Sequence, residues 1–250
     1  MFFHVEANPL PCNFYNDFFY RIPLSTVPRS GNTMLRRLIE YATLVSTEHI
    51  FPNNEGGQYS NRTGTYGYAH GIVEDTRVRR SCGNDAAIIK THYPFQPQFL
   101  QGCISASITI VRHPVDNWIA YLRDMIRTGK VPDIYAAQLQ LPFWKFHSLW
   151  KKHHRFWLDI RKEMRIPIVT VRYEDLCRYP AWVVSRVLAT LGISKSDRLQ
   201  YLNAFASQHC LLRNFQQHPE VVQQLGATDK IAQVQNGTVE NYFGYGLTVR

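Results

Sequence analysis

Four short apolar runs, Ile22–Val27, Ala86–Lys90, Ile104–Val111 and Ile166–Arg172, are rich in aliphatic and β-branched residues, and each gives way to a polar segment. None alternates strictly between apolar and polar positions, which is the pattern of strands buried on both faces. Helical periodicity fills the intervals. Leu35, Leu38, Ile39, Ala42 and Val45 follow the first run at helical spacing, and Trp118, Ile119, Leu122, Met125 and Ile126 follow the third. Phe143 to Ile160 reads as a long aromatic-faced helix ending near Met164. Trp182, Val183, Val187, Leu188 and Leu191 form another, closed by Gly192 as its C-cap. Strands alternating with helices give a parallel sheet flanked by helices on both faces, so the expected class is α/β. A length of 250 residues suits one such domain or two small ones. Phe51 to Asn84, rich in Gly, Asn, Ser, Thr and Arg, reads as a long loop or lid with one short helix.

In open α/β sheets, ligands bind beyond the carboxyl ends of the strands. Polar segments stand at all four of those ends: PRSGNT (Pro28–Thr33), KTHYP (Lys90–Pro94), RHPVD (Arg112–Asp116) and YED (Tyr173–Asp175). PRSGNT precedes a helix, whose unpaired N–H groups and dipole attract anions. Gly31 allows close backbone approach, Ser30, Asn32 and Thr33 add donors, and Arg29 adds a charged fork. An ordinary capping turn accounts for the same residues equally well. The segment lacks the second glycine and the lysine of a Walker A loop, which weighs against ATP hydrolysis. Lys90 and His92 are two apart on an extended chain and so share a side, bringing a cation and a base to one place. Arg112, at the end of an apolar strand, needs an acid or a ligand anion; Asp116 is the plain partner and a phosphate the sharper one. If YED continues a strand, Glu174 and Asp175 face opposite ways, and Tyr173 is either ligand-facing or core.

The chain holds 28 Lys and Arg against 19 Asp and Glu, a net charge of +9, which favours anionic partners without choosing among them. Cys12, Cys82, Cys103, Cys177 and Cys210 form no CxxC pair, so neither a zinc site nor a disulfide framework is expected, and a reducing compartment is mildly favoured. No run of about 18 apolar residues predicts a transmembrane helix, and the first 20 residues make a poor signal peptide.

Together, PRSGNT before a helix, KTHYP, the Arg-x-Pro segment and YED resemble the set carried by sulfotransferases that use 3′-phosphoadenosine 5′-phosphosulfate (PAPS), over about Ile22 to Thr248. RSGNTMLRRLIE and KTH also resemble the sulfotransferase region of the WSC-domain sulfotransferases, without the WSC modules. NGTVENYFGYGLT is similar to the lysine-glycine segment that closes over the cofactor in cytosolic members. The resemblance implies a single P-loop-NTPase-like sulfotransferase domain over residues 21–250, after an extension of residues 1–20. It implies PAPS as co-substrate, no metal, no nucleic acid, and transfer of a sulfuryl group to an acceptor hydroxyl, with a carbohydrate as the favoured acceptor. Arg29, Ser30, Gly31, Asn32 and Thr33 would grip the 5′-phosphosulfate, and Arg112 the 3′-phosphate. Tyr173 would contact the adenine side, and Gln235, Asn236 and Gly237 would lie over the 3′-phosphate end. His92 would be the general base, with Lys90 and Arg29 beside it in the catalytic set.

Four departures weaken the match. Arg29 replaces the usual lysine, Met34 the usual adenine-stacking tryptophan, Ala120 a serine donor to the 3′-phosphate, and Gln235-Asn236 an Arg-Lys pair. The 3′-phosphate site is therefore poorer in charge, with Arg77, Arg79 and Arg80 as possible compensation. A non-catalytic binding protein on the same fold is the competing expectation, and a magnesium-ATP phosphoryl transferase the more distant one. A cytoplasmic location is expected, with the Golgi lumen behind a missing anchor as the alternative.

Overall fold

The computed structural model describes residues 21–45, 47–49, 59–60, 65–67, 87–92, 106–164, 166–193, 197–209 and 238–245. Strand β1 (Arg21–Thr26) leads through the PRSG turn into helix α1 (Asn32–Thr43). Three short strands follow, β2 (Glu48–His49), β3 (Tyr59–Ser60) and β4 (Thr65–Gly67), then β5 (Ala87–His92) and β6 (Ser107–Val111). Helices α2 (Pro114–Arg127), α3 (Ile134–Gln140) and α4 (Phe143–Met164) precede β7 (Ile168–Arg172). Helices α5 (Tyr173–Arg178), α6 (Pro180–Thr190) and α7 (Leu202–His209) come next, and a short helix spans Thr238–Tyr242.

The strands form one sheet of seven in the order β3-β4-β2-β5-β1-β6-β7. The pairs β2–β5, β5–β1, β1–β6 and β6–β7 are all parallel, as the strand-helix alternation predicts. The region read as a long loop adds something unforeseen: β4 pairs antiparallel with both β2 and β3 and extends the sheet at one edge. Strands of two and three residues leave too few positions for a period-two pattern to show. The rest of that region, including Arg77, Arg79 and Arg80, lies outside the described residues.

The two sheet faces differ in chemistry. Ile22, Leu24, Ile88, Ile108, Ile110, Val169 and Val171 pack against Leu35, Leu38 and Ile39 of α1 and Val183, Val184 and Val187 of α6. On the alternate positions Thr91, Ser25, Thr109 and Thr170 stand in register across four strands, with Ser25 and Thr109 fully buried. A second core gathers Trp118, Ile119 and Leu122 of α2 with Phe146 and Trp150 of α4, Val239 of the last helix, and Phe243 and Tyr245 just after it. Burying a side chain such as Leu38 contributes about 1.5–3 kcal/mol, so these stripes hold the helices to the sheet and fix the strand-end loops between them. Gly192 has a φ of 66° just past α6, the left-handed end that its position predicted. Among the described residues no helix is long and apolar enough to cross a membrane.

Candidate active site

The turn after β1 closes by Ser30 N–H donating to the Val27 carbonyl at 3.2 Å. Ser30 Oγ lies 2.7 Å from that carbonyl and 2.9 Å from Asn117 Oδ1, so its one proton serves either acceptor. Asn117 Nδ2 donates to the Pro28 carbonyl at 2.8 Å. Asn117, fully buried on α2, thus clasps the turn from both sides. Gly31 is the N-cap of α1 and supplies no side-chain cap, which leaves the first-turn N–H groups facing outward as anion donors. Substituting Asn117 with Ala strips two partners from a buried turn. A stability loss of about 1–3 kcal/mol is expected, with weaker nucleotide binding; an unchanged melting curve would contradict the clasp.

Gly31 has a φ of 104°, which only glycine adopts readily. A Cβ built there would lie 2.4 Å from a ring carbon of Tyr173. The Tyr173 ring therefore presses against the bare backbone of the turn, and its other neighbour is the Arg112 guanidinium, 4.2 Å from the ring centroid. Burial raises the Tyr173 hydroxyl above its ordinary pKa, only partly opposed by Arg112, so it stays a neutral donor. Arg112 Nη1 donates to the Arg29 carbonyl at 3.0 Å, and the Arg112 carbonyl accepts from Trp150 Nε1 at 3.1 Å. Arg29, Gly31, Arg112 and Tyr173 thus meet in one knot, drawn from three strand ends. Gly31→Ala is expected to destabilise by about 1–3 kcal/mol through backbone strain and to displace Tyr173; a variant that binds nucleotide like the parent would sink this reading.

Tyr173, Glu174 and Asp175 begin helix α5 instead of continuing the strand, so the strand geometry that would turn Glu174 and Asp175 opposite ways does not apply. Glu174 instead ties loops together: Oε1 accepts from His113 N–H at 2.9 Å and Oε2 from the Tyr245 hydroxyl at 2.8 Å. Arg172 stacks over the Tyr245 ring at 4.9 Å and lies 3.9 Å from Glu174. Buried Glu240 pairs with His147 of α4. Through these contacts the residues just after Gln235–Gly237 are docked against the Arg112 loop. Gln235, Asn236 and Gly237 themselves lie outside the described residues.

Lys90 and His92 share the end of β5, and Lys90 is buried while His92 is half-buried. His92 Nδ1 lies 3.0 Å from the Thr26 carbonyl and 3.2 Å from Thr26 Oγ1. A carbonyl only accepts, so in the neutral ring Nδ1 carries the proton and Nε2 the lone pair. Asn32 Nδ2 donates to Thr26 Oγ1 at 3.0 Å, which links the anion turn to the histidine. Thr33, exposed on the first turn, donates its hydroxyl to Asn32 Oδ1 at 3.1 Å. Met34 is buried in the main core with Leu38, one helical turn on. The Arg29 guanidinium reaches α2, with Nη1 3.4 Å from Asp124 Oδ1. Asn117, Thr26 and Tyr245 escaped sequence reasoning. Their signal was only a polar residue beside a strand-end motif, and their roles come from neighbours 66 to 89 residues away in the chain. Among the described residues no group of His, Cys, Asp and Glu is arranged to hold a metal ion.

No curated protein matches the chain. Among solved structures it is similar to a sulfotransferase from Alicyclobacillus acidocaldarius, at 14% identity over 76% of this chain and 92% of that one, with a TM-score of 0.46. It is also similar to a mouse sulfotransferase complexed with PAP, at 19% identity over 77% and 65% of the two chains, with a TM-score of 0.47. A third likeness is the sulfotransferase domain of the curacin biosynthetic pathway, at 16% identity over 74% and 78%, with a TM-score of 0.45. The model of the sulfotransferase domain family matches residues 21–245, which take in all four strand-end motifs, and the chain belongs to that family.

Proposed function

We propose that this sulfotransferase takes its sulfuryl group from PAPS and passes it to a carbohydrate hydroxyl, with His92 as the general base. The observation that carries the reading is the pair of contacts from β1 to His92. The Thr26 carbonyl holds the ring proton on Nδ1, and Asn32 joins that threonine to the anion turn. A base with its lone pair on Nε2 is thereby fixed beside a cradle of helix N–H groups. The residues fit a nucleotide with anionic ends: an uncapped first turn at Gly31, a glycine without room for a Cβ, and the buried guanidinium of Arg112.

When bound, PAPS supplies an activated sulfuryl group. His92 Nε2 accepts the acceptor's hydroxyl proton as the new oxygen–sulfur bond forms and the sulfur–phosphate oxygen bond breaks. The N–H groups of Asn32 and Thr33, with Lys90 alongside, offset the charge gathering on the departing phosphate. Arg112 and Tyr173 orient the nucleotide from the far side of the turn. The carbohydrate class rests on the likeness of RSGNTMLRRLIE and KTH to the WSC-domain sulfotransferases. Incubating the protein with sulfur-labelled PAPS and parallel panels of glycans and small phenols tests both halves. Label on glycans is the expected result. Label on phenols alone overturns the acceptor class, and nucleotide binding without transfer to any acceptor overturns the enzyme reading.

A further inference from the structure

Arg29 grows from the anion turn, yet its side chain leaves it. The residue has a φ of 69°, a left-handed conformation uncommon outside glycine. In that conformation its carbonyl accepts from Arg112 Nη1 at 3.0 Å, and its guanidinium runs to Asp124 of α2. Asp124 is four residues after Ala120, one helical turn along the same face. Arg127 Nη2 also binds Asp124, at 2.6 Å. Two guanidinium groups therefore share one carboxylate, and the spot keeps a net positive charge. The Arg29 side chain is 45% exposed, so it is open to a ligand. Two anion-binding places emerge: the N–H groups at the start of α1, and the arginines gathered on the α2 side. Arg29 belongs by its side chain to the second.

We propose that Arg29 is a ligand of the 3′-phosphate, supplying from the turn the positive charge that Ala120, Gln235 and Asn236 do not. Asp124 acts as the positioning residue that holds the guanidinium over α2. The inference rests on the PAPS reading above. The chemistry favours it: a phosphate dianion takes the two-pronged guanidinium better than a lysine ammonium would. Because the Arg29 carbonyl also receives a hydrogen bond from Arg112, seating one arginine on the phosphate steadies the backbone of the other.

The test is a calorimetric titration with adenosine 3′,5′-bisphosphate and, separately, 5′-AMP. The proteins are the parent, Arg29→Gly and Arg29→Lys. Glycine accepts the positive φ without strain and removes only the side chain, so the turn keeps its shape. The parent should prefer the bisphosphate. Arg29→Gly should lose about tenfold or more in bisphosphate affinity, with 5′-AMP changed less than about twofold, and Arg29→Lys should recover part of the preference. Equal losses for both nucleotides would return Arg29 to the 5′ end and overturn the assignment. An undiminished preference in Arg29→Gly would overturn it too. A parent that binds neither nucleotide would sink the PAPS reading itself, and a parent that binds both alike would show that no 3′-phosphate site exists.

Discussion

His92→Ala is expected to lower the rate of sulfuryl transfer by a hundred- to ten-thousand-fold, roughly the worth of a positioned general base, while leaving nucleotide binding nearly intact. The separation follows from where the ring is tied. Its contacts run to Thr26, through the backbone carbonyl at 3.0 Å, whereas the anion turn is closed by Ser30 and Asn117. Removing the ring leaves the turn's own hydrogen bonds in place. His92→Gln sharpens the test. Its side-chain amide still donates to the Thr26 carbonyl but offers no basic nitrogen, so it should be about as inactive as the alanine variant. A glutamine variant with parental turnover would mean that the histidine only holds β1 and β5 together. Loss of bisphosphate binding in both variants would mean that His92 is a ligand of the nucleotide and not a base. Single-turnover rates beside calorimetric affinities distinguish these outcomes.

How far the sequence carried depended on the range of the interaction. The four long strands were legible as short apolar runs that give way to polar segments, and helices α1, α2, α4 and α6 because each buries an apolar stripe at helical spacing. The end of α4 near Met164 and the left-handed Gly192 were read to the residue. The edge strands were not, since two or three residues carry no period. The strand end at Arg172 was legible, but not that YED opens a helix at once, where Glu174 accepts from His113 N–H and the Tyr245 hydroxyl. The motif positions of the site were legible; the partners that hold them were not. Asn117 reads as one polar residue on an amphipathic helix, and only folding brings it to Pro28 and Ser30. Met34, one turn before Leu38, packs into the core, where a flexible thioether fills the space that the helix stripe offers.

Acid below pH 6.5 should weaken the fold through two histidines on the buried face of α4. His153 and His154 are both fully buried with their rings against each other, and His154 also packs against Trp150 and Phe243. Burial pushes the His153 imidazole down from 6.5 to about 3, with repulsion from nearby His92 adding to it. Burial, and then His153, hold His154 well below its ordinary value. Both rings are therefore neutral in the fold, while in the unfolded chain they take up protons below pH 6.5. The unfolded state binds more protons through that window, so stability falls as pH falls, by about 2 kcal/mol per ring at pH 5. Glu40 and Asp116, raised by burial, pull the other way, because they bind protons in the fold at a pH where the unfolded chain has released them. His113, lowered by burial, adds to the loss, so the balance for the whole protein mixes several groups and a variant isolates the His154 part. His154 is the one to change. Among the described residues neither of its ring nitrogens has a hydrogen-bond partner, so His154→Leu strands no donor or acceptor. The leucine variant should melt at or above the parent at pH 7.5. At pH 5 it should lead by about 2 kcal/mol more, roughly 4–8 °C in a chain of this size. Melting curves for the two proteins that run parallel from pH 7.5 to 5 would mean that His154 is protonated in the fold, and that α4 carries a charge in its core instead of excluding one.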